Sequence, residues 1–289
     1  MIKSKIFICL ISLILLFSCN KNKKAAVFQK EYELVWADEF DYSGKPDSTK
    51  WGYEFGFIRN NEKQYYTDNL KNTRVENGHL IIEAHKEKIA NVKFKSEKYK
   101  EKRHLHYIPK IDTAQYTAAS LSTRNLAEWT YGKIEVKARL PLGVGQWPAI
   151  WMLSESWKEL GWPKCGEIDI MEHVGFEKDS IFGTIHTQAY NHMKGTQKGK
   201  KAFIDSPYNE FHIFSIEWTP EKIDFLLDGK VYNHVENEHK TIDEWPFDQK
   251  FHLKLNIAIG GGLGERKGID NSVFPQQMVI DYVRVYQLK

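Results

Sequence analysis

The chain has 289 residues, 42% hydrophobic and 27% charged, an ordinary globular composition that suffices for one large domain with a sizeable core. Its formal charge is +3, falling to +1 if a leader carrying Lys3 and Lys5 is removed. This near-neutral balance argues against a nucleic-acid partner, which needs a basic face. Nine Trp, fourteen Tyr and sixteen Phe supply flat apolar surface for a core, for stacking on sugar rings, or for both.

Residues 1–18 begin with basic Lys3 and Lys5 and continue as an apolar run from Ile6 to Phe17. The run is too short to span a bilayer as a mature helix and suits an export signal. Leu16-Phe17-Ser18-Cys19 resembles the bacterial lipobox, in which the Cys is lipidated and becomes the new N-terminus. Residues 19–30 are polar and basic and read as a tether, leaving 31–289 as the folded domain. The expectation is a lipoprotein of the outer membrane, facing the periplasm or the exterior, with a monomeric domain. Cys9 leaves with the leader and Cys19 carries the lipid, so Cys165 remains alone and no internal disulfide is expected. With no obvious His partner, Cys165 reads as a buried small hydrophobe rather than a nucleophile.

From Tyr32 onward the pattern is one of short strands divided by Gly, Asn, Asp and Pro. Predicted strands are Leu80–His85, Gly132–Leu140, Ala149–Leu153, Glu167–His173, Phe211–Trp218, Lys222–Leu227, Lys254–Ile259 and Val279–Gln287. Ile134, Val136 and Ala138 alternate with Lys133, Glu135 and Lys137, the period-two signature of a half-buried strand. Asp228-Gly229 marks a tight hairpin. No long segment has helical periodicity, so an all-β antiparallel sandwich is expected. The Lys- and Glu-rich segment 86–112 interrupts this pattern and reads as a solvated loop or extended hairpin, or else as a rim element of a cleft.

The chemistry concentrates in Gly166-Glu167-Ile168-Asp169-Ile170-Met171-Glu172-His173. Strict alternation puts Glu167 and Asp169 on one face but sends Glu172 to the apolar face, which is costly for a carboxylate. A β-bulge near Ile170–Met171 restores Glu172 to the face of the other two acids. Three like charges in line repel, and standing alone they read as a solvated acidic face; glycoside hydrolysis is a chemistry that gives the repulsion a use. It needs one carboxylate ionised and another protonated, and a neighbouring Asp169 raises the pKa of an adjacent Glu. Four strand steps separate the Glu167 and Glu172 Cα atoms by roughly 13 Å. The spacing alone therefore does not fix the stereochemistry: only sheet curvature and long side chains could shrink the carboxyl gap to the ~5 Å of a retaining enzyme.

Trp147 and Trp151 share a strand face and either floor a sugar subsite or pack in the core. Asn60 and Asn61, in Asn60-Asn61-Glu62-Lys63-Gln64-Tyr65-Tyr66, offer amides beside aromatics as sugar hydroxyls require, or form an ordinary loop. His186 has no second His or Cys at a metal spacing and reads as a hydrogen-bonding cleft histidine. There is no phosphate-binding loop, dinucleotide fingerprint or serine-nucleophile elbow.

Taken together these segments resemble glycoside hydrolase family 16, particularly its laminarinase-like branch. The resemblance runs from Trp36-Ala37-Asp38-Glu39-Phe40 through Trp129–Glu135 and the acid strand to Ile280–Tyr286. It implies a concanavalin-like β-jelly-roll sandwich of two curved antiparallel sheets. It implies a retaining endo-acting hydrolase of β-1,3- or mixed-linkage β-1,3/1,4-glucan, with Glu167 as nucleophile, Glu172 as general acid/base and Asp169 assisting. Asn60, Asn61, Trp147, Trp151 and His186 are the implied substrate-binding residues, and no cofactor is implied for catalysis. Glu39, Gly78 (by its carbonyl) and Asp281 match the positions of a structural calcium in relatives, although a cap or strand-end hydrogen bond explains Glu39 and Asp281 equally well. Leu263 stands where such relatives usually carry Trp, which alters one outer subsite. Rival readings are a non-catalytic glycan-binding lipoprotein on the same fold, which has no need of three acids, and a related hydrolase of agarose or carrageenan.

Overall fold

A computed structural model describes residues 31–94 and 108–289. The leader 1–18, Cys19, the tether 19–30 and residues 95–107 of the Lys/Glu-rich segment lie outside the described residues. Among the described residues no helix is long and apolar enough to cross a membrane.

Two sheets face each other, and the seven-stranded one carries the functional residues. Its order is β12 (Lys198–Phe203), β11 (Ser180–His186), β10 (Glu167–His173), β9 (Gln146–Ser154), β16 (Phe251–Ile259), β7 (Ser120–Ser122) and β2 (Gly52–Tyr53). The ten-stranded sheet runs β15 (Lys230–Glu236), β14 (Lys222–Leu227), β13 (His212–Trp218), β8 (Gly132–Arg139), β17 (Gln276–Leu288), β5 (His79–Ala90), β6 (Thr113–Ala118) and β3 (Gln64–Tyr66). In that sheet β1 (Tyr32–Asp38) pairs with β17, and β4 (Thr73–Glu76) pairs with β5. Every predicted strand is present. One pairing departs from the antiparallel expectation, because β3 and β6 run parallel.

The alternation read in β8 places Ile134, Val136 and Ala138 fully in the core. Its outward Glu135 is buried as well, because Tyr282 Oη donates to it at 2.8 Å and Lys133 pairs with it at 2.6 Å. At the β14–β15 hairpin Asp228 and Gly229 both take positive φ, 50° and 76°, as a tight turn of this kind requires. Residues 86–94 and 108–112 belong to an extended hairpin, with β5 running to Ala90 before β6 begins at Thr113. A second small apolar cluster joins this stem (Ile89, Phe94, Ile108, Ala114) to Phe57 and Tyr65, beside the loop carrying Arg59, Asn60 and Asn61.

Strand β16 links core to site. Phe251, Leu253, Leu255, Ile257 and Ile259 enter the core, while His252, Lys254, Asn256 and Ala258 alternate onto the opposite face and are also buried. Such a polar row is buried only where other groups cover it, and here the cleft walls do so.

Candidate active site

Strand β10 starts from Gly166, whose φ is +88° and where a Cβ would lie 2.7 Å from Pro246. Only glycine fits that approach, so the entry of Glu167 into the sheet is fixed by its neighbour. Glu167 then lies opposite Leu153 and His186, and Asp169 opposite Trp151 and Thr184. The register shifts after Asp169 against both neighbouring strands; pairing resumes at Met171 opposite Ile150 on β9 and at Glu172 opposite Phe182 on β11. The bulge expected from the sequence is therefore present. Ile168, Ile170 and Met171 fill the core, and all three acids line one cleft of about 530 Å³.

Trp147, Trp151, Asn60, Asn61, His186 and Leu263 line the same cleft, so the expected substrate-binding residues are brought together around the acids. Trp147 is half-buried, and its Nε1 donates to Glu172 Oε1 at 2.9 Å. Trp151 is only 7% exposed. Its Nε1 donates to Asn256 Oδ1 at 2.7 Å, Asn256 Nδ2 donates to the Tyr66 hydroxyl at 3.1 Å, and that hydroxyl donates to Glu62 at 3.2 Å. The ring of Trp151 is thus a cleft wall tied into the core. Asn60 Nδ2 donates to Glu62 at 3.3 Å, and both asparagines take positive φ. His186 Nε2 stands 3.3 Å from Asp169 Oδ2 and 3.9 Å from Glu167 Oε1, and its ring abuts His192 and Trp162.

Donor atoms of Glu167, Asp169 and His186 all lie within 4.8 Å of one another, which makes charge crowding severe. Burial and then Asp169 push Glu167 up to about 8, opposed by His186 and Arg59. Asp169 is raised well above the carboxylate range by burial and by Glu172. Burial raises Glu172 too, while His186 and the Trp147 hydrogen bond favour its ionised form. Each of the three acids is thus pushed toward its neutral form, and their crowding opposes simultaneous ionisation. Cys165 is fully buried and pushed up to about 12 by burial and then Glu167, which makes it inert as a nucleophile.

Several cleft residues were missed in the sequence: Arg59, Asn256, Phe176, Phe182, His192 and Arg266. Asn256 was within reach, because Lys254, Asn256 and Ala258 alternate with three aliphatic residues in the predicted strand. Arg59 and Arg266 come from loops and leave no periodic signal. A second cavity of about 480 Å³, lined by His239, Lys240 and Trp245, holds none of the acids.

The candidate calcium ligands lie elsewhere. Both Glu39 oxygens accept from Arg284 at 2.8 Å, which holds that carboxyl below its ordinary range. Asp281 pairs with Lys137 at 2.8 Å, and Gly78 sits in the β4–β5 turn at φ +75°. The carboxylates are engaged by cations, so this donor set fits an ion only after Arg284 and Lys137 swing away.

Residues 60–284 match the glycosyl hydrolases family 16 profile. The chain is 48% identical over 266 residues to a β-glucanase of Rhodothermus marinus, covering 89% of this chain and 85% of that protein. Its fold superposes on the crystal structure of the laminarinase from Rhodothermus marinus with a TM-score of 0.79 and 44% identity, covering 90% of this chain and 99% of that one. A non-specific endo-β-1,3(4)-glucanase with 1,3-β-D-cellobiosyl-glucose at its active site gives 0.78 at 42% identity, covering 89% and 95%. The two facing sheets are those of the jelly-roll fold, and with the bulged acid strand lining its cleft the chain belongs to glycosyl hydrolases family 16.

Proposed function

We propose that this protein is a retaining, endo-acting hydrolase of β-1,3- or mixed-linkage β-1,3/1,4-glucan, with Glu167 as nucleophile and Glu172 as general acid/base. The observation that carries this reading is the β10 bulge, which gathers three carboxyls in one cleft beside Trp147 and Trp151. Glu167 attacks the anomeric carbon from the face opposite the scissile bond, forming a glycosyl ester. Glu172 protonates the leaving oxygen and then deprotonates the incoming water. Trp147 N–H occupies one Glu172 oxygen and leaves the other to carry the proton. Asp169, driven toward its neutral form by burial and by Glu172, relieves the repulsion of a third charge beside Glu167. Hydrolysis in this family needs no cofactor. The names of the similar proteins support glucan over agarose, carrageenan or a purely binding role. Proton NMR of digests tests the mechanism: new reducing ends should appear first as the β-anomer, and an initial α-anomer would remove Glu167 from the nucleophile's role.

Anchoring is proposed on the lipobox-like Leu16-Phe17-Ser18-Cys19 alone: a monomeric enzyme tethered by Cys19 to the outer membrane. Cys19→Ala should leave the detergent phase in a partitioning experiment, and unchanged partitioning rejects the anchor. Calcium at Glu39, Gly78 and Asp281 is proposed only as a stabiliser. A melting temperature equal in calcium and in chelator would leave the Glu39–Arg284 and Asp281–Lys137 pairs as the whole role of those residues.

A further inference from the structure

Beneath the cleft floor lies a buried charge cluster that the mechanism above does not use. Lys254 is 4% exposed, and its Nζ donates to Glu54 Oε1 at 2.6 Å. The other Glu54 oxygen accepts from the Arg59 guanidinium and from Ser120 Oγ at 2.7 Å. Both cations approach the Trp151 ring, Lys254 Nζ at 4.5 Å and Arg59 Cζ at 5.1 Å from its centroid. Two cations share this one carboxylate. The nearby Glu62 offsets that excess only in part, because its oxygens accept from the neutral groups of Asn60, Gln64 and Tyr66 and burial favours its protonated form, with Arg59 opposing.

The register directs that excess at the acids. Lys254, Trp151 and Asp169 form one cross-strand row on the cleft face, in consecutive strands β16, β9 and β10. Two strand spacings put the Lys254 Cα about 10 Å from that of Asp169. Burying a lysine beside an arginine is unfavourable, and burial and then Arg59 bring Lys254 down to about 8, with Glu54 and Glu167 opposing. An aliphatic residue there would avoid that cost, so the charge calls for a role.

We propose that Lys254, Glu54 and Arg59 are positioning residues whose surplus positive charge, set behind Trp151, favours the carboxylate form of Glu167 against the crowding of the other acids. The inference rests on Glu167 being the nucleophile. Charged and titratable groups around Glu167 are Asp169 and Glu172 on its own strand, His186 on β11, Cys165 in the preceding turn, Arg59 in the cleft loop and Lys254 on β16. Of these only His186, Arg59 and Lys254 favour the carboxylate, and His186 does so only when protonated.

The test is the acid limb of kcat/KM against pH on a soluble β-1,3-glucan, for unmodified enzyme, Lys254→Met, Lys254→Gln and Lys254→Arg. Losing a cation makes Glu167 harder to ionise, so Lys254→Met should move the acid limb up by about one pH unit for a charge at this range. Lys254→Gln removes the same charge while keeping a polar partner for Glu54, and should move the limb the same way. Lys254→Arg should restore it. A role in packing alone would leave the acid limb in place in every variant that folds. Coincident acid limbs for Lys254→Met and the unmodified enzyme overturn the proposal. If Lys254→Met does not fold, Lys254→Gln decides, and an unmoved or lowered limb overturns it. Full activity in Glu167→Gln would instead sink the nucleophile assignment, so the two failures are distinguishable.

Discussion

Trp147 donates its indole N–H to Glu172 Oε1 at 2.9 Å, linking β9 to β10 across 25 residues of sequence. A donor to a carboxylate stabilises the ionised form, so this contact sets how readily Glu172, the proposed general acid, holds its proton. Trp147→Phe keeps the ring and removes the donor, which raises the Glu172 pKa. The basic limb of the pH–rate profile should therefore move to higher pH, with kcat falling about 3–10-fold because one charge-assisted hydrogen bond is worth ~1.5–3 kcal/mol and only part of it is felt in the transition state. An unmoved basic limb would show that the contact is structural.

The two glutamates should fail in different ways. Glu167→Ala has no carboxylate to form the ester and should be inactive on every glucan. Glu172→Ala should retain the first step on an aryl glycoside whose leaving group needs no proton, and azide should accelerate its turnover to a β-configured glycosyl azide. Rescue of Glu167→Ala giving a β-azide would reverse the assignment.

Charge crowding makes the acid strand a source of pH-dependent instability. The Glu167 carboxyl sits at about 8 in the folded chain against an ordinary 4.5. Its contribution to folding is fully present below 4.5 and is lost as pH rises toward 8. Glu167→Gln removes that loss. Its melting temperature should exceed that of the unmodified protein by several degrees at pH 8 and match it near pH 4. Equal melting temperatures at both pH values would mean that solvent and neighbouring protons already absorb the repulsion.

Asn256 ties the cleft wall to the core, accepting from Trp151 Nε1 at 2.7 Å and donating to Tyr66 Oη at 3.1 Å. Asn256→Leu leaves the buried indole N–H without its acceptor and the tyrosine oxygen without its donor. The expected cost is about 2–4 kcal/mol, since each unsatisfied buried polar group costs ~1–3 kcal/mol. Chemical denaturation should show it as a lower midpoint with an unchanged slope.

Much of this site was legible because strands alternate. Period two identified β8, β9, β10, β13 and β14, and the misfit of Glu172 to that period foretold the bulge. Long-range pairing was not legible. Trp151 meets Lys254 and Asn256 across a hundred residues, and which strands become neighbours is decided by the packing of whole sheets rather than by local pattern. Arg59 and Arg266 arrive on loops, where no periodicity points a side chain anywhere. The parallel β3–β6 pair was hidden for a related reason, because three residues are too few to show a direction. Trp151 needed the structure to reconcile its two readings, since a ring can be walled into a core by one edge and still bound a cleft.

The shift in β10 also means that this strand carries one residue more than its partners need between Asp169 and Glu172. Deleting Ile170 or Met171 would leave Glu167, Asp169 and Glu172 at strictly alternating positions, facing the same way as before. Deleting Ile168 would instead put Asp169 next to Glu167 and turn it to the core, and deleting Asp169 would remove the middle acid, although Glu172 would keep its face in both. The acid strand thus contains a spare residue, a place where the chain can lose a unit of length while the row of its acids survives. At that one position the reach between Glu167 and Glu172 can be altered without rebuilding the sheet.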